Sequence, residues 1–161
     1  MQSATVDLFH NCGVAVAPLP RVIELVRYPE DQLTCVMRFT GAQMNGNMLL
    51  SVPPAIPKMV RYDGPTRPNP SAWIAEVSNQ LLGRLKKRLS QFQIDVNLGL
   101  PVVLNSASFA RHRAGAKDAI IYPFRTLAGD MLVILDGVLN YSALSYSGAV
   151  KLANEGDIIL F

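Results

Sequence analysis

The sequence has few of the residues that define several common classes of protein. It holds only two cysteines and two histidines in 161 residues, and they show no zinc-site spacing. Cys12 and Cys35 are therefore expected to be small buried residues rather than a disulfide. No apolar run is long enough to cross a membrane, and the N-terminus has no basic start followed by a signal-like apolar core. We expect a cytoplasmic protein with no metal or cofactor of its own and no membrane association.

Charged residues are also scarce, at 17% of the chain, whereas hydrophobic residues reach 50%. This balance argues against extensive disorder and supplies enough apolar side chains for one full core. The chain length fits a single domain, which we predict to span residues 1–161. So high an apolar fraction also leaves surface for another subunit to cover, and an oligomer is plausible.

The net charge of +3 comes from two basic clusters, at residues 84–88 and 111–117. Nucleic-acid binding by the second cluster is one hypothesis, because basic patches contact phosphates. Aromatic residues that would stack on bases are not interleaved with these basic residues. The alternative, an exposed basic loop that binds no nucleic acid, is the interpretation we prefer.

The longest segment with one helical period is residues 69–92. Asn69 can cap free backbone N–H groups, and Pro70 tolerates the first helical position. Apolar residues then recur at spacings of three and four, which predicts one helix over residues 70–91 with its apolar side on a core. The members of this stripe are Ile74, Val77, Leu81, Leu85, Leu89 and Phe92.

The opposite side of this helix carries Glu76, Asn79 and Gly83, within roughly 60° of one another, and Lys87 lies on the same side. Glu76 and Asn79 could be solvated polar residues or a recognition site, and spacing alone does not decide between them. A mid-helix glycine costs about 0.8–1 kcal/mol against alanine, so Gly83 needs a reason. That reason is either the close approach of a partner or packing inside the fold, and Lys87 is either a partner contact or a solvated cation.

The rest of the chain reads as strands and turns. Residues 33–39 alternate, Asn45 and Gly46 form a tight-turn signal, and a second hairpin is predicted further on, with Pro123 marking an edge strand or a bulge. These elements predict an α+β fold, in which a long helix packs on one face of a mostly antiparallel sheet. The predicted strands are residues 22–26, 33–39, 47–52, 94–100, 119–124 and 131–139.

The motif Glu76-x-x-Asn79-x-x-x-Gly83, a following basic stretch and Pro101-Val-Val together resemble the CheC/CheX family of chemotaxis phosphatases. The likeness covers residues 33–139. It departs from the family pattern at Asn105, which stands where a glycine is usual. Some members have a second motif-bearing helix, but residues 56–62 contain neither Glu nor Asn, so the chain resembles CheX with a single site.

The resemblance implies hydrolysis of the aspartyl phosphate of a CheY-like response regulator. By this analogy Asn79 positions the attacking water, Glu76 contacts a lysine of the regulator, and Gly83 and Lys87 contribute contacts. Any Mg²⁺ belongs to the regulator. The resemblance also implies a homodimer that pairs through its sheets. The alternative is a catalytically inactive docking module of the same fold, such as flagellar-switch relatives use.

Overall fold

A computed structural model of the chain describes residues 1–21, 31–61, 68–104 and 119–139. The helices are α1 (Gln2–Asn11), α2 (Ile56–Met59) and α3 (Pro70–Leu89), and a 3-10 turn (Ser90–Phe92) extends α3. The strands are β1 (Ala17–Pro18), β2 (Leu33–Thr40), β3 (Met44–Val52), β4 (Asn97–Leu98), β5 (Val102–Leu104), β6 (Ile120–Thr126) and β7 (Gly129–Leu139).

The strands form one antiparallel sheet in the order β1-β6-β7-β3-β2-β4, and β5 pairs with β2 on the same side as β4. Alternate residues of β2 point to opposite sides, so Cys35, Met37 and Phe39 are buried whereas Arg38 is exposed. Helix α3 packs against β2 on this buried side. The predicted α+β fold is confirmed.

Helix α3 begins where the sequence predicted. The Oδ1 atom of Asn69 accepts a hydrogen bond from the backbone N–H of Ala72, at 2.7 Å, and Pro70 occupies the first turn. Of the predicted stripe, Ile74, Val77 and Leu81 are buried, and two further leucines are partly buried against the same core.

Phe92 does not belong to this stripe, contrary to the prediction. The α-helix ends at Leu89, and Phe92 lies in the tighter 3-10 turn with 42% of its surface exposed. The change of helical pitch rotates the side chain away from the line that the 3.6-residue period projects. The predicted helix of residues 70–91 is otherwise confirmed to within two residues.

The predicted turn at Asn45 and Gly46 is wrong, because both residues lie inside β3. The chain reverses over residues 41–43 instead. The side chain of Asn45 closes this loop, since its Oδ1 accepts from the Gly41 N–H at 3.3 Å and its Nδ2 donates to the Gly41 carbonyl at 3.1 Å. Asn45 therefore stabilises the turn with its side chain, although its backbone belongs to the start of β3.

Gly46 is needed for close packing between strands rather than for a turn conformation. A Cβ atom at this position would collide with the carbonyl oxygen of Asp136 and crowd Gly137 and the ring of Phe39. Gly46 is also absent from the residues with positive φ. A glycine in a strand often marks such a close backbone approach.

The second predicted hairpin is confirmed as β6 and β7, but Pro123 marks neither a bulge nor an open edge. It lies in register with Leu132, and β1 covers this end of β6. The Pro123 carbonyl accepts from the Leu19 N–H at 2.9 Å, so the Pro123 nitrogen points toward β1 and away from β7. The missing N–H thus costs the β6–β7 ladder no hydrogen bond.

The predicted strand at residues 94–100 is only partly formed. Ile94 and Val96 are buried, and Leu98 pairs within β4. Leu100, predicted to continue the inward series, is 86% exposed. Alternate side chains therefore face inward as far as Leu98, and this alternation does not continue to Leu100.

A bulge explains this failure. Leu98 lies opposite Phe39, whereas Val102 lies opposite Val36, so residues 99–101 face only two residues of β2. One extra residue on the edge strand shifts the inward alternation by one position. The leucine in the middle of the bulge consequently points to solvent.

Two predicted features lie outside the described residues: the strand at 22–26 and the basic loop at 111–117. Asn105 and the residues after 139 also lie outside them. In the part of the chain that the structure describes, no helix is long and apolar enough to cross a membrane.

Candidate functional site

The exposed side of α3 carries the predicted motif. Glu76 and Asn79 are both exposed, while their neighbours Val77 and Ser78 are buried. The two polar residues are about 4.5 Å apart along the helix axis. Because the buried side anchors the helix on the sheet, the motif lies on a rigid element rather than on a loop. The prediction that both side chains are exposed is confirmed.

Glu76 has a partner that the sequence analysis did not identify. Its Oε1 atom accepts a hydrogen bond of 2.8 Å from Nε2 of Gln80, and both residues are exposed. The i,i+4 spacing was the available signal, since such residues are neighbours on a helix surface. Asn79, by contrast, makes no side-chain hydrogen bond with any described residue. Its amide is available to a ligand or partner.

Gly83 lies about 10 Å further along the axis than Glu76, on the same side. Apart from its chain neighbours and the nearby backbone of its own helix, no atom of the described residues comes within 4 Å of a Cβ built at this position. The packing explanation for Gly83 therefore finds no support in the described fold. Because glycine has no side chain, it leaves a flat patch of helix backbone beside the two polar side chains.

The basic stretch at the C-terminal end of α3 is largely engaged within the chain. Lys86 Nζ lies 3.3 Å from a carboxylate oxygen of Asp95, and Arg88 lies 3.6 Å from a carboxylate oxygen of Asp7. Lys87 is partly exposed and lies about 16 Å beyond Glu76 along the axis. The structure places it on the motif side, but at the far end of it.

Ser78, inside the motif, faces the core and not the solvent. It is fully buried, which makes it a small packing residue and removes it as a nucleophile for an external substrate. Its Oγ makes no hydrogen bond of ordinary geometry among the described residues, but it interacts with the Cys35 thiol. Burial raises the pKa of Cys35, and Ser78 and the Val102 backbone partly oppose this rise.

Within the described ranges, no three His, Cys, Asp or Glu side chains converge on a common point. Helix α2, with the sequence Ile-Pro-Lys-Met, carries neither a carboxylate nor a carboxamide. Around the motif, the exposed side of α3 offers one carboxylate and two carboxamides, from Glu76, Asn79 and Gln80, and Lys87 adds a cation at the far end. Carboxylate and carboxamide groups can hold a cation and orient a water molecule.

No protein-family model and no curated protein matches the sequence. Solved structures do match the fold. Chemotaxis protein CheX from Vibrio vulnificus superposes with a TM-score of 0.67 at 17% identity, covering 85% of this chain and 95% of that one. The chain has the CheX fold. The predicted resemblance to the CheC/CheX family is confirmed at this level.

Two further structures with similar folds are complexes. The CheX–CheY–BeF3–Mg²⁺ complex from Borrelia burgdorferi matches with a TM-score of 0.64 at 13% identity, covering 84% of this chain and 94% of that chain. A chain of the FliG–FliM complex from H. pylori matches with a TM-score of 0.52 at 12% identity, over 88% of both chains. Similar folds therefore occur in a complex with CheY and in the FliG–FliM complex.

Proposed function

We propose that this protein removes the phosphoryl group from the phosphorylated aspartate of a CheY-like response regulator. The observation that carries the proposal is the pair of exposed residues Glu76 and Asn79, which lie one turn apart on the anchored helix of a CheX fold. A protein with this fold forms a complex with CheY in the Borrelia burgdorferi structure. From Glu76 to Lys87 the exposed side of α3 carries no hydroxyl, thiol or imidazole group, which fits a reaction whose nucleophile is water.

Asn79 is assigned the positioning of that water. A carboxamide takes up no proton at neutral pH, yet it donates and accepts hydrogen bonds, so it can orient a water molecule in line with the bond that breaks. The water oxygen attacks phosphorus, and the bond to the aspartate oxygen breaks. The products are the regulator's free carboxylate and dihydrogen phosphate, which keeps both protons of the attacking water, so no protein group has to accept one. Asn79 suits this role because its amide has no partner among the described residues.

Glu76 is assigned to a lysine of the regulator that lies near the phosphorylated aspartate. A carboxylate on an exposed helix attracts this ammonium group and draws it away from the phosphoryl oxygens. Mg²⁺ stays on the regulator, where it neutralises the charge that develops on the phosphoryl group. The protein thus supplies a water-orienting amide and a docking charge, and it needs no metal of its own.

Gly83 and Lys87 complete the proposed docking surface, which we define as the exposed side of α3 from Glu76 to Lys87. The open space above Gly83 lets a partner's backbone lie against the helix. Lys87, at the far end, is assigned to an acidic pocket of the regulator, because opposite charges across an interface attract. We also propose a cytoplasmic homodimer. Light scattering at high micromolar concentration tests the dimer, and a monomer would contradict it.

The proposal is tested by adding the purified protein to each candidate regulator, phosphorylated with a small-molecule phosphodonor, and following the loss of phosphate. We expect faster loss than autodephosphorylation for at least one regulator. The control is the double variant Glu76→Ala, Asn79→Ala, which leaves the buried side of α3 intact. If the wild-type protein leaves every regulator at its autodephosphorylation rate, the phosphatase function is wrong, and if the double variant accelerates the loss as much as the wild type, the assigned site is wrong.

A second candidate function is a docking module without catalysis. The similarity to a chain of the FliG–FliM complex favours it, because that match also extends over most of both chains. This function predicts that the protein binds a regulator or a flagellar partner while regulator phosphate decays at its intrinsic rate. Binding without accelerated phosphate loss would therefore decide in its favour.

A further inference from the structure

We propose that Gln80 is a positioning residue for Glu76, and that the two side chains form a joint seat for an ammonium group of the partner. This inference rests on the proposed function, since it concerns how the same surface recognises its partner. Its basis is the hydrogen bond from Gln80 Nε2 to Glu76 Oε1, at 2.8 Å. This bond is the single side-chain contact of Glu76 within the described residues.

The hydrogen bond restricts where the carboxylate lies. Side chains on an α-helix lean toward its N-terminus, and an exposed glutamate without a partner samples several rotamers. Gln80, one turn later, holds the Glu76 carboxylate over the surface between the two residues. That position is on the same side as the Asn79 amide. The docking charge and the water-orienting amide are therefore held close together before the partner arrives.

The atoms left unused define what the seat can bind. Gln80 uses one lone pair of Glu76 Oε1, while Glu76 Oε2 and the carbonyl oxygen of Gln80 accept no hydrogen bond from the described residues and remain as two open acceptors, one of them charged. An ammonium group has three donors that rotate freely, so it can use both acceptors. A guanidinium group prefers the two oxygens of one carboxylate, and here one of those oxygens is already engaged. The seat consequently favours lysine over arginine.

The first experiment compares Gln80→Leu with the wild type. Leucine has a similar size and is a good helix former, so the exposed substitution leaves the fold unchanged. We expect the affinity for the beryllofluoride-activated regulator to fall about tenfold, because a charge-assisted contact and its orientation are lost. The matched control is Gln91→Leu, the same chemical change in the 3-10 turn beyond the end of α3 and outside the docking surface, which should leave the affinity unchanged.

A double-mutant cycle separates a positioning role from a simple contact. If Gln80 acts through Glu76, Gln80→Leu weakens binding in the wild type and has little further effect in Glu76→Ala. The regulator should also lose affinity when its lysine is replaced by arginine, and this loss should be smaller with Gln80→Leu. Full additivity of the two losses, or a Gln80→Leu protein that binds as wild type while Glu76→Ala does not, would overturn the inference.

The outcomes also distinguish this inference from the proposed function. If Glu76→Ala binds as tightly as the wild type, the docking role of Glu76 is itself wrong and both proposals fail. If Gln80→Leu loses turnover but keeps its affinity, Gln80 acts on the water and not on Glu76. In that case the seat is wrong while the phosphatase function stands.

Discussion

The two sides of α3 have opposite physical characters. On the inner side Ile74, Val77 and Leu81 are almost completely buried against the sheet. On the outer side Glu76 and Asn79 are exposed, although each is a direct neighbour of a buried residue. The inner side of this helix thus packs against the rest of the protein. The most exposed groups on its outer side make very few contacts with the protein.

Within α3, the inner side therefore contributes to folding stability, and the outer side is left for function. A substitution on the inner side removes packing and acts on the folding equilibrium. A substitution on the outer side removes almost no contact with the described chain, so beyond small changes in helix propensity its effect must come from a partner. Three substitutions test this separation, in order of decreasing expected change in free energy.

The inner side is tested by Leu81→Ala. Leu81 is fully buried, and the substitution leaves a cavity between α3 and the sheet. We expect the free energy of unfolding to fall by about 2–5 kcal/mol. Chemical denaturation followed by circular dichroism measures this change. A loss below about 0.5 kcal/mol, the level of a surface substitution, would contradict the assigned packing.

The charged end of the outer side is tested by Glu76→Lys. A lysine at this position repels the regulator's own lysine, so we expect the affinity for the activated regulator to fall by more than about tenfold. Glu76→Gln, which keeps the shape and removes the charge, should have a smaller effect in the same direction. The free energy of unfolding should change by no more than about 0.5 kcal/mol for either variant.

Replacing Gly83 gives the smallest expected change in the free energy of unfolding. The sign of this change shows whether the glycine serves packing. Because no described atom lies near a Cβ built at Gly83, Gly83→Ala should raise the free energy of unfolding by about 0.4–1 kcal/mol. The matched control is Gly46→Ala, where the new Cβ collides with the neighbouring strand and should destabilise the fold. Destabilisation by Gly83→Ala would mean that the glycine serves packing after all.

The sequence predicted the parts of the fold that depend on local pattern. The cap at Asn69, the helix that follows and the β6–β7 hairpin are all set by residues close together in the chain. Gly46 was misread because its reason is the backbone of β7, which is distant in sequence. The exposure of Leu100 was missed because a bulge is a property of the pairing with β2, and period-two alternation carries no sign of it.

The candidate site was predictable to a similar extent. Helical spacing placed Glu76 and Asn79 opposite the buried stripe, and the structure confirms this placement. Gln80 was not singled out, because the motif of the resembled family does not include that position. The roles of these residues stay predictions, since the reaction assigned to them takes place on an aspartate of another protein.

The central claim is that Asn79 orients the attacking water and contributes little to docking. The measurement that tests it is turnover of the phosphorylated regulator by Asn79→Ala, together with affinity for the beryllofluoride-activated regulator. We predict that affinity is retained while the rate falls by roughly 10²–10³, the loss typical of one positioned donor in an active site. Wild-type turnover by Asn79→Ala would contradict the claim and leave the protein as a docking module.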